Sequence, residues 1–281
     1  MSPERARPAP PRFARPGVAT LAVWLVVALF LAGAVQGAEV SLVEFVEGLP
    51  NLADFVARMF PPDVERLPAI LAALFETFQM AAVGTVLGIL LSVPIAVAAS
   101  RNLSPHPLVY YLARGLISFF RTIPDLVWGL VFVIMVGLGP FAGTLAIAVD
   151  TMGFCGRFFA EAMEDVDDGP QEALTTLGAT RTGVIASAVL PAAMPAFITT
   201  ALFNLELATR SSVVLGIVGA GGIGMELKVA MDLFRYDEAL TILLAIFVLV
   251  LAVERAGAQV RERIIGRHGG QIAVASLAGE R

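Results

Sequence analysis

The chain has 281 residues, of which 57% are hydrophobic and only 15% charged, with a formal net charge of −5. A soluble domain of this length carries roughly a quarter charged residues, and the mean hydropathy here is +0.81, so an ordinary water-soluble enzyme is excluded. Residues 16–38, 77–100, 126–149 and 182–205 contain no Asp, Glu, Lys or Arg, and each is long enough as a helix to cross a hydrocarbon core about 30 Å thick.

In lipid, only helices and closed barrels satisfy every backbone polar group. The alternating apolar and polar strands of a barrel are absent, so the fold class is an all-α polytopic membrane bundle. The single cysteine, Cys155, cannot form an internal disulfide, and His106 and His268 lie too far apart to suggest a metal site. The one lysine, Lys228, sits in M-E-L-K-V-A. A phosphate-binding P-loop needs a lysine following glycine, so this chain cannot hydrolyse ATP by that route. No cofactor, metal or nucleic acid is expected on it.

Taken in order, residues 1–16 place Arg5, Arg7, Arg12 and Arg15 among prolines and read as a disordered basic tail. Residues 17–35 follow as a first span with its N-terminus inside. A cleaved signal peptide ending near A-V-Q-G-A is the alternative, but the apolar run is longer than such a peptide uses. Between 39 and 67, Leu42, Phe45 and Val46 share one helical face, and Leu52, Phe55 and Met59 another. That pattern predicts short amphipathic helices on the outer membrane surface.

After Pro61-Pro62, a second span is expected over 70–98, with Gly84 and Gly88 at a spacing that lets helices approach closely. Positive charge returns at 101–121, where 108–120 is amphipathic around Arg114. A third span over 122–138 begins near Pro124. Gly137, Gly139 and Pro140 then turn the chain into a fourth span over 141–162. Two crossings here, rather than one, put the arginines at 157 and 181 on the positive, cytoplasmic side.

The most polar interval follows at 168–191, D-G-P-Q-E-A-L-T-T-L-G-A-T-R-T-G-V-I-A-S-A-V-L-P. Asp168 or Gly169 can cap a short helix, Pro170 suits its first position, and Gly178 supplies a left-handed end. Thr180 can cap a second run over 181–190, which Pro191 interrupts. A fifth span is expected over 192–214, a glycine-rich outer connection over 215–237, and a sixth span over 239–253. The last is short and must extend past Glu238 or Glu254. The layout is thus a tail (1–16), a first span with its periplasmic segment (17–67), a transmembrane domain (68–256) and a cytoplasmic tail (257–281). Both termini lie inside.

Three charged residues stand out in the spans: Asp150, Glu206 and Arg210. Each costs roughly 2.5–3.5 kcal/mol at a helix centre, so each should face a partner or a wet cavity. Glu206 and Arg210 have the spacing of a helical ion pair. Alternatively, Arg210 with Ser211 and Ser212 lines an anion pathway. Asp150 belongs to the same cavity or pairs with Arg157, and a structural or gating role suits it. Gly219, Gly221, Gly222 and Gly224 match G-x-G-x-x-G but lack the sheet a dinucleotide fold requires. They fit a tightly folded loop near a gate. The acids Glu161, Glu164, Asp165, Asp167 and Asp168 read as a solvated face.

The order Glu172-Ala173, then Gly178, then Ala188-Val189-Leu190-Pro191 resembles the EAA loop of ABC-type importer permeases, with departures at Leu174 and Ala188 that stay apolar. R-T-I-P at 121–124, G-L-G-P-F-A-G at 137–143 and R-S-S-V-V-L-G-I-V-G-A-G-G-I-G at 210–224 are similar to the phosphonate-transport branch. This resemblance, covering about 70–256, implies a type I importer permease with a methionine-permease-like fold in a bacterial inner membrane. It implies that Glu172, Ala173, Thr175, Leu177 and Gly178 dock on a separate ATP-binding subunit, which holds the ATP and Mg. It further implies a periplasmic substrate-binding protein, a second permease copy forming a homodimer, and phosphonate or phosphite as cargo. A methionine-type permease shares the loop and is the alternative within transport. A membrane-embedded enzyme using Asp150, Glu206 and the acid run, and an ion-coupled transporter, are alternatives of other classes.

Overall fold

The computed structural model describes residues 17–39 and 41–278, with side chains described as far as 263. The basic tail over 1–16 lies outside the described residues. All regular structure among the described residues is helical. The chain divides into two compact units, Met1–Ala57 and Arg58–Arg281.

In the first unit, α1 (Val18–Gly37) is apolar all round and has no buried residue. Its 20 residues span about 30 Å at the α-helical rise, the thickness of a hydrocarbon core. A single helix α2 (Leu42–Arg58) continues through Pro50, where separate short helices were expected. Its start is capped by the Ser41 hydroxyl, which accepts from the Glu44 N–H at 3.1 Å.

The second unit is built around two long helices, α3 (Leu67–Ala99) and α6 (Pro140–Glu164). They approach closely because glycines replace side chains at their contact. A Cβ added at Gly84 would lie 2.7 Å from Ile147 Cγ2, and one at Gly88 would lie 2.6 Å from the Ala148 carbonyl oxygen. The small-residue stripe predicted for this span is therefore the main packing seam. The helix α9 (Leu190–Ile217) lies against both. Phe159 of α6 stacks on Phe197 of α9 with ring centroids 4.1 Å apart. Around that pair a core forms from Ala96, Cys155, Met163 and Val189.

Between the long helices, α4 (Pro107–Thr122) and α5 (Asp125–Val136) meet at 89°. The expected third span is thus not one straight helix but the bent part of an elbow whose second arm has 12 residues, about 18 Å, too short to cross without the first arm. Pro124 starts that arm and Gly137, at φ +94°, ends it. Gly153 of α6 seats the elbow, since a Cβ there would come within 3.0 Å of Phe120.

The cytoplasm-predicted hairpin consists of α7 (Asp168–Thr176) and α8 (Arg181–Val184). Pro191 does not interrupt the second run. A π-helical turn at Ile185–Val189, in which the Leu190 N–H donates to the Ile185 carbonyl, widens the backbone just before the proline. The lost N–H and the ring's clash are absorbed there, and the helix runs on from Arg181 to Ile217.

Beyond α9, the outer connection contains a short helix, α10 (Ile223–Asp232), and α11 (Tyr236–Ala278) follows as one continuous helix. It extends past both Glu238 and Glu254, as the short sixth span required. Glu238 is buried at the start of α11, paired with Arg66 at 2.5 Å and Arg235 at 2.9 Å. The residues expected as a separate tail continue α11 as far as Ala278.

Among the described residues, four helical runs are long and apolar enough to cross a membrane: Val18–Gly37, Leu67–Ala99, Arg181–Ile217 and Tyr236–Arg263. The α4–α5 pair is a fifth if its two arms form one broken span. The expected fourth crossing, over 141–162, falls on α6, roughly 37 Å long at 25 residues. It is less apolar than α1, α3 and α9 because it carries Asp150, Arg157, Glu161 and Glu164, and because its buried side mixes small residues such as Gly143, Thr151 and Gly156 with Ile147, Phe159 and Met163.

Candidate functional site

The hairpin is held at its base and free at its tip. Asp167, not Asp168 or Gly169, caps α7 by accepting from the Gly169 N–H at 3.2 Å. Pro170 therefore stands third in the helix, still within the first turn, where no N–H partner is lost. At the other end the Gly178 N–H donates to Thr175 O at 3.0 Å and the Ala179 N–H donates to Leu174 O at 3.1 Å. With Gly178 at φ +84°, these bonds form the Schellman ending that the glycine predicted. Thr180 caps α8, accepting from the Gly183 N–H at 3.3 Å.

Three bonds fix the base. Arg181 donates to the Ser104 carbonyl at 2.6 Å, tying α8 to the α3–α4 connection. Glu164, at the end of α6, accepts from the Arg101 N–H at 2.6 Å and from Arg114 at 2.8 Å. No residue of α7 is buried, and Leu177 is 83% exposed. Glu172, Ala173 and Thr175 are exposed beside it. Asp167, Asp168 and Glu172 make the tip acidic, and α7 carries no basic residue. An apolar knob on an acidic helix, mounted on a fixed base, is suited to docking in a socket with a basic rim.

Of the charged residues in the spans, Glu206 and Arg210 do not pair with each other. Glu206 is 6% exposed and accepts from Arg261 of α11 at 2.9 Å. Gly257 makes this possible, since a Cβ there would lie 2.6 Å from Glu206 Oε1. Arg210 faces Glu254 of α11 at 3.6 Å instead. The two charges thus join α9 to α11 rather than neutralising one stripe of α9. Nor does Asp150 pair with Arg157, which binds Glu161 at 2.7 Å. Asp150 is half-buried, and the charges acting on it are Asp125 and Arg121 of the elbow. Ser211 is half-buried, whereas Ser212 is fully buried and donates to Thr209 O at 2.8 Å within its own helix.

The glycine loop is packed from every side. Gly219, Gly221 and Gly222 have φ of +95°, +82° and +73°. The Gly139 N–H donates to Gly219 O at 3.0 Å. Gly224 lies in α10 against Gly216 of α9, where a Cβ on Gly216 would stand 2.8 Å from Gly224 Cα. Glu76 and Thr77 of α3 bind the loop's backbone, a role not read from the sequence. The available signal was a lone acid in the run L-F-E-T-F-Q, inside a predicted span.

A bundle of membrane-length helices with one polar hairpin mounted on a fixed base, and with Glu206 and Arg210 paired across to a neighbouring helix, has the form of a transport permease. The chain belongs to the family described as binding-protein-dependent transport system inner membrane component, whose model matches residues 84–263. It is therefore a multi-pass subunit of an inner-membrane transport system. It is 39% identical over 241 residues to the putative phosphite transport system permease protein HtxC of Stutzerimonas stutzeri, covering 86% of each chain. It is 37% identical over 266 residues to the phosphate-import permease protein PhnE of Mycolicibacterium smegmatis. That match covers 94% of this chain and about half, 49%, of the other. Among solved structures it is similar to a chain of the inward-facing MetNI methionine ABC transporter, with a TM-score of 0.63 at 21% identity, over 72% of this chain and 99% of that one. That likeness shows the fold: a type I ABC importer permease.

Proposed function

We propose that this chain is the permease of an ATP-driven importer for phosphite, a phosphonate or a related phosphorus oxyanion. The observation carrying the cargo assignment is the 39% identity to a putative phosphite permease across 86% of both chains. The relatives named as probable D-methionine permeases stand lower, at 27% and 24%. The transport machinery is the chain's own geometry. A separate ATPase subunit, holding ATP and Mg, grips Leu177 and the exposed face of Glu172, Ala173 and Thr175. Closure of the ATPase pushes α7 as a lever. The push enters the bundle through the Arg181–Ser104 and Arg114–Glu164 links and along the continuous helix from Arg181 to Ile217.

In this reading the hairpin and both termini lie in the cytoplasm, as the arginine distribution favours. A second permease copy completes the path, and a periplasmic binding protein delivers the cargo. The path passes Asp150, Arg210 and Ser211, with Gly219–Gly224 at its outer gate. Contacts to the anion are weak, because a transporter must release what it carries. Arg210 is half-exposed and its nearest acid is 3.6 Å away, so it can exchange Glu254 for a passing oxyanion.

Uptake by cells expressing the permease with its ATPase and binding protein tests this. Radiolabelled phosphite, phosphate, methylphosphonate and methionine would be compared. Uptake of a phosphorus oxyanion, lost when the ATPase is omitted, is expected. Uptake of methionine alone, or uptake that persists without the ATPase, would overturn the proposal.

A further inference from the structure

Glu76 is an acid in the apolar helix α3, and its partner is backbone. Its Oε1 accepts from the Gly222 N–H at 2.9 Å. One residue on, the Thr77 hydroxyl accepts from the Ile223 N–H at 2.7 Å while donating to the Ala73 carbonyl at 2.8 Å. The Gly222 and Ile223 N–H groups open α10, where no intrahelical acceptor exists. Helix α3 thus caps α10 from 146 residues away in sequence. The fit leaves no slack: a Cβ at Gly222 would stand 2.5 Å from Thr77 Oγ1, and one at Gly221 would stand 2.7 Å from the Pro140 nitrogen. The loop is therefore held between α3 and the start of α6.

We infer that Glu76 is a positioning residue of the transport cycle. Its carboxylate keeps the 219–222 loop seated on α3, so that α3, the α5–α6 turn and α10 move as one body at the outer end of the path. A charge within a membrane-length helix carries a desolvation penalty that an apolar residue would avoid, and the bond to Gly222 is what it provides in return. The inference rests on the transport reading above. It needs no contact between Glu76 and cargo.

The test uses the complete transporter in proteoliposomes, with radiolabelled phosphite, phosphate and methylphosphonate as probes and ATP hydrolysis measured with and without the binding protein. Glu76→Ala is expected to lower uptake roughly tenfold, the population change one charge-assisted hydrogen bond supports. It should also raise hydrolysis in the absence of the binding protein several-fold, on the order of the same bond. Glu76→Gln keeps an oxygen that can accept from Gly222 and should restore both to within about twofold, since only the charge assistance is lost. Thr77→Val removes the neighbouring acceptor without a change of shape and should move both readouts in the Glu76→Ala direction, which serves if Glu76→Ala fails to insert. Wild-type coupling in Glu76→Ala and Thr77→Val, or a Gln variant as damaged as Ala, would overturn the inference. The hydrolysis arm needs no cargo, so a wrong cargo leaves it standing. Absence of ATPase coupling in the unaltered complex would instead defeat the transport reading itself.

Discussion

Two glycine turns stand at the ends of the same helical run, Arg181–Ile217, and they use glycine for different reasons. At Gly178 the backbone takes φ +84° and an added Cβ would meet nothing within 4 Å. Glycine is there for the dihedral alone. At Gly219–Gly224 the positive φ values come with crowding: Cβ atoms at Gly221 and Gly222 would stand 2.7 and 2.5 Å from their neighbours. The first turn is a projecting tip on a fixed base, open to a partner. The second is a packed junction of α3, α6, α9 and α10. In the proposed mechanism the part to be gripped is the bare one, and the part that must not slip is the filled one.

Substitutions at the two ends should therefore separate stability from coupling. The largest loss of stability is expected for Gly224→Val. Even the first carbon of a side chain would overlap the Val213 carbonyl oxygen, and overpacking of this kind costs about 3 kcal/mol or more. Thermal unfolding in detergent should fall sharply, and an unchanged melting temperature would show that the junction is looser than described. Glu206→Ala comes next, because it strands Arg261, whose side chain is 24% exposed. Removing one partner of a mostly buried pair costs about 3 kcal/mol. Adding Arg261→Met should recover much of this, so strictly additive losses in the double variant would argue against the α9–α11 clamp.

Gly178→Ala strains one residue in the left-handed region by about 1 kcal/mol. A small drop in melting temperature with a clear fall in uptake is expected; a large drop would mean the turn is packed after all. Leu177→Asp should leave stability within about 0.5 kcal/mol, as surface changes do, yet abolish uptake and release of the ATPase from co-purification should accompany it. Retained uptake would remove Leu177 from the docking face.

How far each region could be read in the sequence follows the range of its bonds. The hairpin was legible because its determinants are local: Thr180 caps three residues ahead, and the N–H groups of Gly178 and Ala179 donate to Thr175 and Leu174. Gly84 and Gly88 were legible as a packing stripe for the same reason. The cap residue itself shifted to Asp167, because several adjacent acids can serve and only the backbone path selects one. Glu206 was misassigned because its partner, Arg261, is 55 residues away, and local spacing offered Arg210 instead. Glu76 went unread on the same ground, at a separation of 146 residues. The α4–α5 elbow was hidden by hydropathy, which counts apolar residues and does not register an 89° bend at Ile123-Pro124.

The most direct test of the account is the side of the membrane on which the bare tip lies. Cys155 is the only cysteine and is buried, so Thr175→Cys in a Cys155→Ala background gives one reporter at the exposed face of α7. A membrane-impermeant maleimide should label it in inverted vesicles and leave it untouched in right-side-out spheroplasts, with added ATPase subunit protecting it. Labelling from the periplasmic side would contradict the account.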